Sequence, residues 1–361
     1  MPSFTHLLSA GLLAASAVAF PVQTRKTSVQ KRSSSSKLGA AYNDATLVST
    51  LADDASGTVS WSYNWGSSVG GDMPSDVEYV PMLWGSGSDY VSGWTDAVET
   101  ALSSGSSYIL GFNEPDMSSQ ADMTAATAAA LYAEYITPYA GSAKLVSPAV
   151  TSSSSSGEGL DWFKSFMSDC SSCNISALAV HWYGDSVDEL KTFVEEAIET
   201  AADYDISEVW LTEFGLDADT SGISDASTTV SFLEEAVSWL ESQSSVARYA
   251  FFYCANNYLL TDDAVNSVGG AYMSSSSSSS STSTSSASST SSSSSSASSS
   301  ASSSASSAAS SAASSTSTSW STSSSESSSS ESSSTESSST SDSFSVTWDA
   351  KIALLPPIQH S

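Results

Sequence analysis

The chain has 361 residues, with 10 Lys and Arg against 39 Asp and Glu, a formal charge of −29 at pH 7. Between residues 38 and 273 the cations are Lys144, Lys164, Lys191 and Arg248. Nucleic acid and other polyanions, which need clustered Lys and Arg, are therefore excluded as partners, and the expected substrate is neutral or cationic.

In chain order, residues 7–19 (LLSAGLLAASAVA) form a short apolar run closing on Ala17-Val18-Ala19. This is the pattern of a secretory signal peptide over 1–19, too short to span a membrane. Residues 20–37 read as a linker or propeptide, in which Lys31-Arg32 is either a dibasic processing site or an exposed charged pair. The segment 38–273 is close to the roughly 250 residues of an eightfold β/α barrel.

Eight apolar segments recur in it: LGAAYN (38–43), VSWSYNW (59–65), EYVPMLW (78–84), SYILGFN (107–113), AKLVSPAV (143–150), ALAVHWY (177–183), EVWLTEF (208–214) and VARYAFFYCA (246–255). Continuous β-branched and aromatic runs of this kind suit parallel strands covered on both faces. The first two connections are short for helices. An Ala-rich helix is expected over 120–136, with Leu131 and Tyr135 one turn apart. Asp188 is placed to cap a helix whose apolar stripe is Leu190, Phe193, Val194, Ala197, Ile198 and Ala201. After Asp225, Val230, Leu233, Val237 and Leu240 repeat the stripe. Strand and helix alternating in this way predict an α/β fold, a single (β/α)8 TIM-type barrel, followed by a disordered tail. No Gly-rich nucleotide fingerprint follows the first strand, and no cofactor is expected.

Residues 274–343 are almost all Ser, with Thr, Ala and a few Glu. That composition cannot bury enough apolar surface to order itself, and reads as an O-glycosylated stalk or a bare linker. The end, 344–361, holds a single four-residue apolar run, Ile352–Leu355, short of a lipid-anchor signal. A secreted, extracellular or wall-located monomer without a transmembrane helix is expected.

Histidine and cysteine usage narrows the chemistry. His181 is the one histidine of the 38–273 segment, so no multi-His zinc site can be built, and no metal is expected. Cys170, Cys173 and Cys254 allow one structural disulfide and one leftover thiol, with the pairing open. Asn174-Ile175-Ser176 matches an N-glycan acceptor.

Two carboxylates carry the functional reading. Glu114 ends the fourth apolar run and Glu213 the seventh, at the carboxyl-terminal rim where barrels keep their active sites. Alone, each reads as a capping or ion-paired carboxylate. With so few cations available, two glutamates at matched rim positions point instead to glycoside hydrolysis, which needs a protonated and an ionised carboxyl group across the scissile bond. Asp116 suits capping of the following helix, and Glu208, at the opposite strand end, is expected to be solvated.

Aromatic side chains add a sugar-stacking surface. Trp61, Tyr63 and Trp65 alternate on one strand face. Trp84 and Tyr183 are expected in the cleft, and His181 either packs in the core or contacts substrate. Tyr183 is also the expected donor that keeps Glu213 ionised.

These motifs, YNWG (63–66), PMLWG (81–85), LGFNEPD (110–116), LVSPAV (145–150), AVHWYG (179–184) and LTEFG (211–215), resemble glycoside hydrolase family 128, the fungal alkali-sensitive-linkage-like β-1,3-glucanases of the retaining barrel clan. The resemblance implies endo-acting cleavage of β-1,3-glucan, Glu114 as acid/base and Glu213 as nucleophile. It also implies Asn113 on the sugar's 2-hydroxyl; Trp84, His181, Tyr183 and Trp65 are the further substrate contacts expected from the residues themselves. Many clan members carry a Trp on strand eight, where this chain reads Phe251, Phe252 and Tyr253. The competing expectations are a non-catalytic glucan-binding wall protein and a β-glucan transglycosylase.

Overall fold

A computed structural model describes residues 36–54 and 59–277. The expected signal peptide and linker, up to residue 35, the Ser-rich segment beyond 277 and the C-terminal end lie outside the described residues. Among those described, no helix is long and apolar enough to cross a membrane.

All eight apolar segments contain parallel strands, most of them shorter than the runs themselves. They are β1 (Gly39–Ala41), β2 (Trp61–Tyr63), β3 (Glu78–Tyr79), β4 (Tyr108–Ile109), β5 (Lys144–Val146), β6 (Ile175–Gly184), β7 (Glu208–Leu216) and β8 (Val246–Phe251). β1, β2 and β3 pair in order, as do β4 through β8. Single parallel bridges continue the ladder, Met82 to Leu110 between the two groups, and Leu38 to Tyr249 and Tyr42 to Cys254 between the outer edges. The result is an α/β fold built on a curled parallel sheet. A small antiparallel pair, β9 (Leu260–Thr261) and β10 (Ala264–Val265), follows.

The helices are α1 (Ala45–Asp54), α2 (Ser88–Val91), α3 (Trp94–Ser103), α4 (Ala125–Tyr135), α5 (Gly159–Asp169), α6 (Val187–Ala202), α7 (Ala226–Ser242) and α8 (Ser267–Ser277). Several expectations are corrected here. The first connection does hold a helix, α1, burying Leu47, Val48 and Leu51. α4 begins at residue 125, where the Thr124 side chain accepts from Thr127 N. α6 is capped by Ser186, which accepts from Glu189 N, leaving Asp188 in the first turn. Asp225 caps α7 as the sequence predicts, accepting from Ser227 N and Thr228 N.

Strand alternation sorts the core in two. Residues such as Leu178, Val180, Leu211 and Phe214 pack outward with the helices, whereas Ala41, Trp61, Tyr63, Met82, Ala177, Ala179, Trp210 and Ala250 fill the inside of the curl. Three small alanines on β6 and β8 leave room for the Trp61 and Trp210 indoles, whose centroids lie 5.1 Å apart. Gly111 is required by close approach, because a Cβ there would lie 2.6 Å from Pro148 N. It brings the end of the fourth run against Ser147 and Pro148, just after β5, shortly before Asn113 and Glu114.

Towards the strand starts, Arg248 stacks its guanidinium over Trp210 (4.4 Å) and Tyr108 (4.5 Å) and pairs with Glu78 at 2.5 Å. Glu78 also accepts from Ser107 N (2.6 Å) and Oγ (2.7 Å). Glu208, expected to be solvated, instead pairs with Lys144 and accepts from the Tyr108 hydroxyl at 3.1 Å. Cys170 and Cys173 form the disulfide, and Cys254 is a buried free thiol.

Removing one partner of a buried pair leaves the other charge uncompensated. Arg248→Met is therefore expected to lower the unfolding free energy by about 3–5 kcal/mol in urea titration, with less loss when Glu78→Leu is added.

Candidate active site

Glu114, His181 and Glu213 converge at the strand ends, each at most 5% exposed. Backbone bonds hold the approach to Glu114. Asn113 N donates to Trp84 O (2.9 Å) and Glu114 N to Ala149 O (2.8 Å), so the fourth run is pinned on both sides. Glu114 itself has φ +43°, a left-handed conformation that a residue before proline rarely adopts. Strain of this kind, about 1–3 kcal/mol, persists where the surroundings dictate it.

Asp116 is the second correction to the capping assignments. It does not cap α4. It accepts from Thr151 N (3.1 Å), Thr151 Oγ1 (2.6 Å) and Gly159 N (2.9 Å), tying the loop after β4 to the start of α5.

Glu213 reaches the inside of the curl through a bulge. On β6, Ala177 and Ala179 face inward, and His181 and Tyr183 continue that phase. On β7, Trp210 faces inward and Leu211 outward, so strict alternation would send Glu213 outward with Leu211. The register instead steps from Val180↔Leu211 to His181↔Glu213, leaving Thr212 as an extra residue. The freed Thr212 carbonyl accepts from the Tyr63 hydroxyl at 3.0 Å.

Once inside, Glu213 is surrounded by donors. Tyr183 Oη donates to Oε2 at 2.6 Å and Trp65 Nε1 to Oε1 at 2.7 Å. His181 Nδ1 lies 2.7 Å from Glu114 Oε1, and its Nε2 lies 3.5 Å from Glu213 Oε1. Burial raises the Glu114 pKa first and the neighbouring Glu213 adds to it, with His181 acting in the opposite direction. For His181 burial lowers the pKa, but the charges of Glu213 and Glu114 outweigh it and the net shift is upward. The Tyr183 hydroxyl is pushed far above its usual range by burial and by Glu213.

The other residues singled out by sequence surround this chain. Trp65, half-buried, has φ +58°; its role as a hydrogen-bond donor gave no sequence signal, and neither did the part played by Tyr63. Asn113 is buried, donates to Gln120 Oε1 at 3.4 Å, and has an Oδ1 without a hydrogen-bond partner. Trp84 is half-buried and stacked on Tyr90 at 4.8 Å. Trp61 packs inside the sheet and is 0% exposed, which removes it from any cleft. Phe252 lies 5.7 Å from Tyr183 and 6.0 Å from Trp65, in the wall that strand eight contributes.

Glu114, His181 and Glu213 are also the grouping among the described residues close enough to hold a metal, with one ligand atom of each within 4.8 Å of the others. Their spacing does not suit one. Two ligands about 2.0–2.1 Å from a tetrahedral ion sit about 3.3 Å apart, whereas His181 and Glu114 are hydrogen-bonded to each other at 2.7 Å.

Residues 39–272 match the model of the glycosyl hydrolase catalytic core. The chain belongs to that family. Alkali-sensitive linkage protein 1 of Schizosaccharomyces pombe is 32% identical over 255 residues, 66% of this chain; the chain spans 45% of that relative's length. Among solved structures, a curdlan-specific exo-β-1,3-glucanase of glycoside hydrolase family 128, subgroup III, from Blastomyces gilchristii is 42% identical with a TM-score of 0.60. A subgroup II endo-β-1,3-glucanase from Sorangium cellulosum is 29% identical, with a TM-score of 0.55. The two matches cover 66% of this chain and 97% and 98% of theirs. The family resemblance read from the motifs is thereby established.

The raised Glu114 pKa has a consequence for stability. An acid whose folded pKa exceeds its unfolded value binds extra protons when folded, so stability falls as pH rises between the two values. Glu114→Gln removes that loss. Its thermal midpoint relative to wild type should climb as pH rises above the ordinary glutamate range, and the difference should stop changing below it.

Proposed function

We propose that this chain is a secreted, retaining β-1,3-glucan hydrolase, with Glu114 as acid/base and Glu213 as nucleophile. The observation that carries the reading is the approach of the two carboxylates. An oxygen of each lies within 4.8 Å of the other group. That fits the roughly 5–5.5 Å spacing of retaining sites better than the roughly 6.5–9.5 Å needed to seat a water between inverting acids. Glu114, buried and raised in pKa, is suited to hold the proton for the leaving oxygen. Glu213 is suited to attack, because Tyr183 and Trp65 satisfy its charge without a cation.

The eight strands form the closed barrel of 38–273 that carries these residues at its rim. Asn113, with its free Oδ1, is placed for the sugar 2-hydroxyl, and Trp84 and Trp65 for stacking of the sugar face. The signal-like 1–19 and the Ser-rich 274–343 support export to the fungal wall, with the Ser-rich stretch as a stalk. We favour endo-acting cleavage. The 42% identity to an exo-acting relative supports exo-action as the second reading, and product lengths from laminarin over time separate the two.

Chemical rescue tests the roles. With an activated aryl glucoside, Glu114→Ala should keep its first step and give the β-glycosyl azide with added azide. Glu213→Ala should lose at least about 10³-fold in kcat and give the α-azide. Opposite anomers would reverse the assignment. Full activity in both variants would overturn it.

A further inference from the structure

Glu114, His181 and Glu213 form a buried chain whose middle member has no task in the reaction as written above. We propose that His181 is a positioning residue held as an imidazolium, whose fixed charge serves Glu213 before the glycosyl–enzyme bond forms and Glu114 after it. The proposal rests on the roles assigned to the two glutamates.

The geometry supports it from both sides of the ring. His181 is 1% exposed. Its Nδ1 is 2.7 Å from Glu114 Oε1, and its Nε2, which has no hydrogen-bond partner, is 3.5 Å from Glu213 Oε1. A neutral ring protonated on Nδ1 would aim an Nε2 lone pair at the Glu213 carboxylate. Protonated on Nε2, it would draw the Glu114 proton to Nδ1 and away from the leaving oxygen. The imidazolium presents an N–H to each acid.

The donors around Glu213 favour the same state. Both of its oxygens already accept, from Tyr183 and from an indole N–H that can only donate. Two donors fit a carboxylate at Glu213, which puts the proton on the ring. The charged groups acting on the ring are Glu114 and Asp116 from the loop after β4 and Glu213 from β7, and the Tyr63 and Tyr183 hydroxyls contact Glu213. Burial alone favours the neutral ring, but the carboxylates outweigh it and the pKa rises.

Counting charge shows what the ring accomplishes. Two protons over three groups give a neutral Glu114, a cationic His181 and an anionic Glu213, with no net charge to bury. In the first step a Glu213 oxygen bonds to the anomeric carbon. The glycosidic C–O bond breaks with its electron pair on the leaving oxygen, which takes the Glu114 proton. Glu213 is now a neutral ester, and the anionic Glu114 faces the same imidazolium. In the second step water attacks the anomeric carbon and gives a proton to Glu114, and the ester C–O bond breaks with its pair on Glu213. Negative charge passes from one acid to the other and back while the cation stays still.

Two-bond 1H–15N correlation on histidine-labelled protein reads the ring directly; the chain has three histidines, and His181→Gln assigns the signal. At pH 7 the wild type should show both ring nitrogens at imidazolium shifts, and Glu213→Gln should lower the pH at which the ring deprotonates. A neutral tautomer in wild type at pH 6 overturns the proposal. In kinetics, folded His181→Gln (checked by its thermal midpoint) should lose about 10²-fold in kcat on glucan and on an activated aryl glucoside alike, since both steps need the cation. Wild-type rates on the aryl substrate overturn the role. A wild type that cleaves no glucan overturns the assigned function and the two-step role with it, while the ring's charge is read independently.

Discussion

Everything at the strand ends depends on burying carboxylates in a segment that holds four cations. A carboxylate taken out of water must find donors, a counter-charge or a proton. This chain uses all three. Glu78 takes the one buried guanidinium, itself stacked on Tyr108 and Trp210. Asp219, 2% exposed, needs no cation because Ser224 N, Ser224 Oγ and Thr229 Oγ1 donate to it. Asp116 is met by two backbone N–H groups and a hydroxyl. With Arg248 committed at the far end of the sheet, the pair at the rim is left with neutral donors and one histidine. That scarcity is why the two acids share His181, and why an indole stands beside Glu213.

The two ends of the sheet are thus complementary solutions to one problem. The Arg248–Glu78 pair is buried, with Arg248 donating through Nη2 and stacked over two rings, and it ties the strand starts together. The Glu114–His181–Glu213 chain joins two acids through one ring, with Nδ1 at 2.7 Å from the first and Nε2 at 3.5 Å from the second. A closed ion pair at one end and two acids sharing a ring at the other come from the same few residue types in different company.

Much of the architecture was legible in the sequence because parallel strands covered on both faces must be continuously apolar, and eight such runs stood out. Glu114 and Glu213 were legible because acids closing apolar runs need a reason. Finer features were not. Six of the eight strands are shorter than their apolar runs, and on the third and fourth runs the ends belong to loops held by single backbone bonds. By contrast, β6 and β7 run past theirs and carry His181, Tyr183 and Glu213 within the ladder. The α6 cap fell to Ser186 rather than Asp188, and Asp116 reached α5 rather than α4, because tertiary contacts decide which of several capping residues is used. Trp65 was legible as a ring but not as a donor, since only the fold shows where its N–H points. Nothing in Leu211-Thr212-Glu213 announced the bulge.

The bulge also changes how relatives of this chain should be sorted. Whether Glu213 faces the inside of the curl or the surrounding helices is set by one surplus residue, Thr212, whose carbonyl is anchored by a tyrosine on a strand 149 positions away. A descendant that smoothed this irregularity would keep both glutamates in any alignment and still lose the site. Pseudoenzymes of this fold can therefore arise with an intact acid pair, and counting acids will not separate catalysts from lectin-like descendants. The residue opposite Tyr63 and the phase of the seventh strand are the characters to compare.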